Sequence, residues 1–316
     1  MKTIKAYIST TILGSFIMLI AMHSTSCKKD RVPAKTTGNF ASPTSFYDQY
    51  KQEEQVFEID SLSKGPLFGK MGTQLFPDKT IFMNPDGTDF NYPYLIKLIE
   101  IYSAKDMILS NMPSIASQTI LETGGEIRVR AFKDAQELVL RPNKKFHMEL
   151  DSTTSLLTAM SVYYGFPNNS ITDWTNNLTS LDPKIAPDNL SSVVNTPFFY
   201  SMNIGRMGWV SCAKLHDNTN PTGVISFTAE GSNTQNIDIF LVFANIHSVM
   251  KVHDMKSYSI PLGTQFTVIA IAKDVNKNNA LVYDMQNITM NSVQQRALTL
   301  VETTDANLIS VLSAFK

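Results

Sequence analysis

The sequence predicts a mainly β fold: two antiparallel β-sandwich domains with few short helices and a C-terminal helix. Apolar and polar residues alternate along many short segments, and turn residues separate those segments roughly every ten to fifteen positions. Only the final segment has a clear helical stripe of apolar residues. The chain has 316 residues, of which 43% are hydrophobic, so it has enough apolar material for two cores.

Residues 1–26 are predicted to be a signal peptide. Two lysines precede an apolar stretch, and "STSC" then ends at Cys27. This ending resembles a lipobox, and "SCKKD" resembles the cleavage sites of Bacteroidota lipoproteins. We therefore expect Cys27 to be lipidated and to hold the protein at the outer membrane, on its periplasmic or cell-surface face. A transmembrane anchor is the alternative, but hydroxyl residues interrupt the apolar stretch.

Charge and cysteine content narrow the classes of partner. The formal net charge is −1, and it becomes about −3 when residues 1–26 leave with their two lysines. Such a balance has no basic footprint, so we expect no nucleic-acid partner. The second cysteine, Cys212, has no intrachain disulfide partner if Cys27 is lipidated, and we expect it to be a small buried apolar residue.

The predicted first half of the mature chain is a tether followed by a sandwich. Residues 27–50 are polar and rich in Pro, Thr, Ser and Lys, which predicts a flexible tether, with a short helix starting near Ser45. Residues 51–155 are predicted to form the first sandwich, interrupted by a short helix at "SAKDMILSNM". Its alternating segment "GEIRVRAF" should bury one face only, and Gly124-Gly125 is expected to be a turn.

The predicted second half is a polar connection followed by another sandwich. Residues 156–195 are rich in Asn, Ser, Thr and Pro, with one expected strand at "AMSVYYG". Residues 196–316 should form the second sandwich and its closing helix, in which Thr303 or Thr304 is the N-cap. The helix should bury a stripe made of Leu308, Leu312 and Phe315.

A family resemblance covers most of the mature chain. The elements are Glu100, "DMIL" at 106–109, "LETGG" at 121–125, Met160, Tyr164, Gly165 and Trp174, and "GWVSCAKL" at 208–215. The elements within residues 95–150 resemble the ZU-five-like domain of Bacteroidota surface lipoproteins. The later ones resemble segments that follow this domain in such proteins, with "GWVSCAKL" similar to a "GWINCDRF" motif whose Asp-Arg pair is replaced by Ala213-Lys214. The resemblance implies a β-sandwich, and analogy with animal ZU-five domains implies protein interaction rather than catalysis.

The sequence predicts no catalytic, metal or cofactor site. No Gly-x-Ser-x-Gly nucleophile motif occurs in the sequence. Cys212 and His216 are close in sequence, but neighbours on one strand point to opposite faces, so a buried core strand is the favoured interpretation. Two such ligands also make a weak metal site. A hydrolase would need a pocket that joins Cys212, His216 and His253.

Aromatic and hydroxyl residues supply the candidate binding and modification sites. Tyr164, Trp174 and Trp209 are candidate ligand contacts, with burial in the core as the alternative. Ser61 in "DSL" and Ser152 in "DST" resemble Bacteroidota O-glycosylation sites.

The favoured function is a membrane-anchored, non-enzymatic envelope lipoprotein that binds a protein or a polysaccharide. The alternatives are a structural subunit of an outer-membrane assembly and an envelope hydrolase with its site between the two domains.

Overall fold

A computed structural model describes residues 38–61, 65–151, 157–168, 171–177, 192–196, 198–216 and 219–315. Cys27 and Ser152 lie outside these residues. The α-helices are α1 (Thr44–Tyr50), α2 (Ala104–Leu109) and α3 (Asp305–Leu312). Single 3₁₀ turns are Lys79–Ile81, Thr234–Asn236, Ala244–Ile246 and Val275–Lys277.

Strands make up most of the ordered structure. The first thirteen are β1 (Gly38–Ala41), β2 (Gln55–Ile59), β3 (Leu67–Phe68), β4 (Gln74–Phe76), β5 (Phe82–Met83), β6 (Tyr94–Ile101), β7 (Ile115–Ala116), β8 (Thr119–Lys133), β9 (Gln136–Glu137), β10 (Val139–Leu140), β11 (Phe146–Asp151), β12 (Ser161–Asn168) and β13 (Ile171–Thr175). The others are β14 (Ser192–Asn195), β15 (Phe199–Ile204), β16 (Gly208–Leu215), β17 (Thr222–Gly223), β18 (Ile225–Ala229), β19 (Gly231–Ser232), β20 (Asp238–Phe243), β21 (Ser248–Lys251), β22 (Ile260–Pro261), β23 (Gln265–Asp274), β24 (Ala280–Thr289), β25 (Gln294–Leu298) and β26 (Val301–Glu302).

The first sandwich is formed by two antiparallel sheets. The larger has the order β13-β12-β16-β8-β6-β2, with β7 and β9 paired to β8, and the smaller has the order β14-β15-β11-β4-β3. Their facing side chains form one core that includes Ile96, Ile127 and Met148. Ile127, Val129 and Ala131 are fully buried, as the alternation predicts, and burial of side chains such as Ile127 and Val129 contributes about 1.5–3 kcal/mol each.

The second half is built around a seven-stranded sheet. Its main strands lie in the order β21-β20-β23-β24-β26, and β1 pairs with the end of β23 and with β19. One face packs on β18 and β25, with Leu241, Val268 and Ile225 in the core. A third core joins the other face of this sheet to the first sandwich and to the three α-helices of the described residues, through residues such as Phe240, Ala213 and Met107.

The mainly β fold class and its antiparallel sheets are confirmed, whereas the number of domains is not. Strands from both predicted domains and from the predicted connection lie side by side, because β16 pairs with β8 and with β12. Residues 38–316 group as one compact unit by their internal contacts. Periodicity identifies strands but carries no information on distant pairing partners, so it grouped β15 and β16 with the strands that follow them, whereas in the structure they pair with β11, β12 and β8.

The part of the predicted tether that is described is ordered. Residues 38–50 form β1 and α1, because Phe40, Phe46 and Tyr47 are apolar enough to be buried, with 5%, 2% and 6% of their surfaces exposed. The helix near Ser45 is confirmed, although Ser45 does not cap it; its hydroxyl accepts a hydrogen bond from Lys273.

Gly124 and Gly125 were predicted as a turn, and the structure places them inside β8 instead. A Cβ at Gly124 would stand 2.6 Å from the Tyr200 ring, and one at Gly125 would stand 2.6 Å from the Tyr102 ring. Gly125 also has φ +146° opposite Cys212, where the register of β16 shifts. These glycines therefore make room for tyrosines at a β-bulge rather than reversing the chain.

The predicted helices at 104–109 and at the C-terminus are confirmed. Ser103 caps α2 by accepting the Asp106 N–H, and Thr304 caps α3 by accepting the Asn307 N–H. Leu308 and Leu312 are fully buried, and Phe315 packs against the same core.

Candidate binding groove

Two adjacent cavities lie where β2 and β4 end and β6 begins. Ile59 at the end of β2 pairs with Tyr94 at the start of β6, so these ends meet at one edge of the first sandwich. One cavity has a volume of about 560 Å³ and the other about 480 Å³. Both are lined by Lys79, Thr80 and Tyr92, which form the ridge between them. We call the two cavities together the Lys79 groove.

Local hydrogen bonds fix the loops that carry the groove. Asp78 caps the 3₁₀ turn by accepting the Thr80 N–H and hydroxyl, both at 2.8 Å. The next loop closes as a turn in which the Gly87 N–H donates to the Asn84 carbonyl at 2.9 Å, as "NPDG" predicts. Hydrogen bonds from Thr88 to the Asp86 carboxylate lower the pKa of Asp86.

Aromatic rings form much of the groove wall. Phe76, Tyr92 and Tyr94 line the larger cavity, whereas Phe82, Phe90 and Tyr92 line the smaller one. The centroids of Phe82, Phe90 and Tyr92 lie 5.9, 5.4 and 5.8 Å from that of Tyr94, so one aromatic cluster supports both cavities. Such ring pairs contribute about 0.5–1.5 kcal/mol beyond area burial, which gives the wall a fixed shape.

Lys79 lies over two of these rings. Its ammonium is 5.2 Å from the Phe90 centroid and 5.4 Å from the Tyr92 centroid. Cation–π contacts of this kind contribute about 0.5–1 kcal/mol at exposed sites. The ammonium is therefore held on the ridge rather than extended into solvent.

A second cationic side chain, that of Arg141, lines the smaller cavity. The Arg141 guanidinium is paired with the Asp89 carboxylate, and the Arg141 backbone N–H donates to the Ile81 carbonyl at 2.8 Å. Arg141, directly after β10, is thereby joined to the 3₁₀ turn through Ile81 and to the loop before β6 through Asp89. The smaller cavity therefore has a charged rim above an apolar floor, which is the usual composition of a ligand site.

Tyr94 supplies a buried polar atom beside the larger cavity. The residue is 1% exposed, and its hydroxyl has no hydrogen-bond partner among the described residues. Burial is the first cause that raises the pKa of Tyr94, followed by the charges of Tyr92 and Asp78. The hydroxyl is therefore a neutral donor held without an acceptor, an unfavourable arrangement in a folded protein.

A third cavity, of about 380 Å³, lies on the seven-stranded sheet. Its polar lining consists of amide and hydroxyl side chains, including Asn245, Gln265 and Asn287, and none of its lining residues is charged. It lacks charged residues and the half-buried rings that Phe76 and Tyr92 contribute to the Lys79 groove, so we favour the groove as the functional site.

Two of the three predicted ligand contacts are core residues. Tyr164 and Trp174 are each 1% exposed. The Tyr164 hydroxyl accepts the Gly205 N–H at 3.0 Å, and the Trp174 indole N–H donates to the Pro113 carbonyl at 2.8 Å. Their polar groups are satisfied inside the fold, so a dissolved ligand cannot touch them. Trp209 is half-buried, with the Arg128 guanidinium 5.8 Å from its ring.

The Cys212 strand does not form a nucleophilic centre. Cys212 is fully buried in the first core, and burial raises the pKa of its thiol, which keeps it protonated. His216 pairs with Glu122 at 2.5 Å, and Lys214 pairs with the same carboxylate at 3.1 Å. No hydrogen bond or ion pair in the described ranges joins Cys212, His216 and His253 to one another, and the three cavities above are lined by other residues.

Of the two predicted O-glycosylation sites, Ser61 is described. It is exposed, lines the larger cavity and donates a hydrogen bond to Asp60 at 3.0 Å. Modification of Ser61 stays a prediction.

Sequence reasoning missed the Lys79 groove. The signal was present in "FNYPY", where aromatic residues alternate with Asn and Pro directly after the "NPDG" turn. Such a loop cannot bury all its rings in a sheet, and that would have indicated an aromatic surface.

Comparisons with known proteins add no relative to this description. No family model matches the chain, and no curated protein matches it. The resemblance to the ZU-five-like domain therefore stays a prediction.

The described residues lack two further kinds of feature. They contain no group of three or more His, Cys, Asp or Glu side chains arranged to hold a metal ion. None of the helices described has both the length and the apolarity needed to cross a bilayer.

Proposed function

We propose that this chain is a lipid-anchored lipoprotein of the bacterial outer membrane whose folded body binds a polysaccharide in the Lys79 groove. The anchor rests on the sequence around Cys27. The binding function rests on one observation: two cavities share a ridge made of Lys79, Thr80 and Tyr92.

The shape of the groove favours a chain-like ligand. Each cavity lies within the range of about 300–1,000 Å³ that is typical of ligand sites, and a ligand that crossed the shared ridge would occupy both. Rigid aromatic rings offer flat apolar faces for the C–H faces of a sugar, while hydroxyl and charged groups at the rim offer hydrogen bonds. A polysaccharide presents both kinds of surface along its length.

The test is binding of the detergent-solubilised lipoprotein to a panel of bacterial and plant polysaccharides by affinity electrophoresis. We expect Phe76→Ala and Tyr92→Ala to weaken binding at least tenfold, while Phe198→Ala, which truncates an aromatic side chain outside the groove, leaves it unchanged. Thermal unfolding should show that all three variants are folded. Equal binding by the wild type and both groove variants would contradict the proposal.

A protein-binding function is the second candidate, favoured by an exposed apolar edge on the smaller sheet of the first sandwich. Phe198 is 75% exposed, and Val194 on the neighbouring strand β14 is 57% exposed. Exposed aromatic residues beside a sheet edge are suited to a partner protein. A photo-reactive phenylalanine analogue at position 198 should then cross-link one envelope protein in native cells, whereas the same analogue at exposed Val275 should not.

A further inference from the structure

We propose that the ligand of the Lys79 groove is an acidic polysaccharide, a polyuronate, whose carboxylates pair with the Lys79 ammonium. This inference rests on the proposed function, because it names the class of glycan that the same groove would take. Lys79 is at the centre of the site: it lines both cavities and forms part of the ridge between them.

The charge on Lys79 is not neutralised by the protein. No ion pair or hydrogen bond to the Lys79 ammonium occurs within the described part of the chain, and its contacts are with the faces of Phe90 and Tyr92. An aromatic face attracts a cation without cancelling its charge. The ammonium can therefore still accept a carboxylate as its partner.

The neighbouring acids already have partners. Both carboxylate oxygens of Asp78 accept hydrogen bonds from Thr80, at 2.8 Å each. Asp89 is paired with Arg141 at the far wall of the smaller cavity. Neither acid forms an ion pair with Lys79 in the described residues. Asp78 lines the larger cavity and keeps its negative charge, because its donor Thr80 is neutral, whereas the charge of Asp89 is paired with Arg141.

The position of Lys79 also suits a repeating anion. A saccharide chain that passes over the ridge places successive rings in the two cavities, and the bond between those rings lies near Lys79. In a polyuronate every ring carries a carboxylate, so some carboxylate meets the ammonium in any register of the chain. Because the rings of Phe90 and Tyr92 hold the ammonium in place, less side-chain freedom is lost when the pair forms.

The experiment compares two polymers with one backbone. Polygalacturonate carries a carboxylate on each ring, and its methyl ester has the same rings without the charge. Using the full lipoprotein in detergent micelles, we expect at least tenfold tighter binding to the acid than to the ester. That preference should weaken as salt is raised, because exposed ion pairs are screened.

The variants identify the cation. Lys79→Gln should bind both polymers with the affinity that the wild type has for the ester, and Lys79→Arg should keep the preference for the acid. Lys51→Gln is the matched control, because Lys51 lies on the surface after α1 and pairs with Asp48. Its preference should equal that of the wild type.

Three outcomes would overturn the inference. If the wild type binds the acid and the ester equally, or if Lys79→Gln keeps the preference, the acidic class is wrong while polysaccharide binding still stands. Binding of polyglutamate as tight as that of polygalacturonate would indicate an acidic peptide ligand instead. The proposed function itself would be rejected if the wild type bound no glycan, or if Tyr92→Ala bound glycans as tightly as the wild type does.

Discussion

The Ser114 hydroxyl donates a hydrogen bond of 2.8 Å to Oε1 of Glu126, and both residues are fully buried. The other carboxylate oxygen, Oε2, has no partner in the described residues. The Ser114 backbone N–H donates to the Val249 carbonyl of β21 at 2.8 Å, so Ser114 also connects the two halves of the fold. A carboxyl group with one hydrogen bond thus lies at the joint between the sheets.

Glu126→Gln should stabilise the protein at neutral and alkaline pH. Burial raises the pKa of Glu126 to about 8, against 4.5 in an ordinary carboxyl, and the bond from Ser114 offsets this only partly. Between these values the unfolded chain releases a proton that the folded chain keeps, so the stability of the wild type falls as pH rises. The slope is about 1.4 kcal/mol per pH unit for one proton, and the whole effect is on the order of 5 kcal/mol.

The measurement is the urea midpoint of the wild type and Glu126→Gln from pH 4 to pH 9. The two proteins should be similar in stability near pH 4, and the variant should become progressively more stable up to about pH 8, as the linkage relation requires. Their difference removes the effects of the other titrating groups. A difference that is constant across this range would show that Glu126 ionises normally in the folded protein.

Gly125→Ala should destabilise the fold by about 2–5 kcal/mol, since a backbone in the left-handed region costs about 1–2 kcal/mol and an overpacked contact costs about 1–3 kcal/mol. Gly125 has φ +146°, and the added Cβ would lie 2.6 Å from the Tyr102 ring. Gly208→Ala is the matched control: its φ is +119°, but nothing lies within 4 Å of the added Cβ. Gly208→Ala should lose only the stability that the strained backbone of an alanine costs, about 1–2 kcal/mol.

Thermal unfolding of both glycine variants measures the difference. In a Tyr102→Ala background, Gly125→Ala should cost no more stability than Gly208→Ala does, because the clash is with the Tyr102 ring. Equal losses at the two positions would mean that the β-bulge, rather than the tyrosine, determines the need for glycine.

Local periodicity predicted individual strands and helices and which of their faces are buried in the nearest core. The alternation of Ile127, Val129 and Ala131 with charged residues gave the strand and its buried face, and Thr304 with Leu308 gave the closing helix. The burial of the opposite face of β8 could not be predicted in this way, because Glu126 lies on that face and is nevertheless fully buried under the second half of the protein. One strand carries no information on what covers its outer face.

The candidate site depends on contacts between distant residues, which one sequence does not reveal. Asp89 and Arg141 are 52 positions apart, and their pairing shapes the smaller cavity. Likewise, an aromatic residue in a polar stretch suits either a binding surface or a core, and Trp174 belongs to the core because its N–H reaches the Pro113 carbonyl. Both cases were decided by tertiary packing rather than by residue type.

Cys27→Ser should abolish lipid attachment. The thiol of Cys27 is the acylated atom in the predicted lipobox, and a serine hydroxyl does not replace it. Cells that express the variant should show no incorporation of labelled palmitate into this protein, and the signal peptide should stay uncleaved. Cys212→Ser is the control, and it should label as the wild type does. Normal labelling of Cys27→Ser would reject the lipoprotein assignment.

Tyr94→Phe should leave the stability unchanged or increase it by up to about 1 kcal/mol, because it removes a buried hydroxyl that has no partner. Tyr200→Phe is the matched comparison. Tyr200 is 2% exposed, and its hydroxyl accepts the Leu157 N–H at 2.7 Å. Its loss should cost about 1–2 kcal/mol, since the Leu157 N–H is then left without that acceptor.

Urea unfolding of the two tyrosine variants under one condition separates the effects, because each substitution removes the same single oxygen atom from a buried ring. Tyr94→Phe should also bind polysaccharide as the wild type does, since the hydroxyl has almost no exposed surface from which to reach a ligand. A loss of binding without a loss of stability would mean that the Tyr94 hydroxyl turns toward the larger cavity when the groove is occupied.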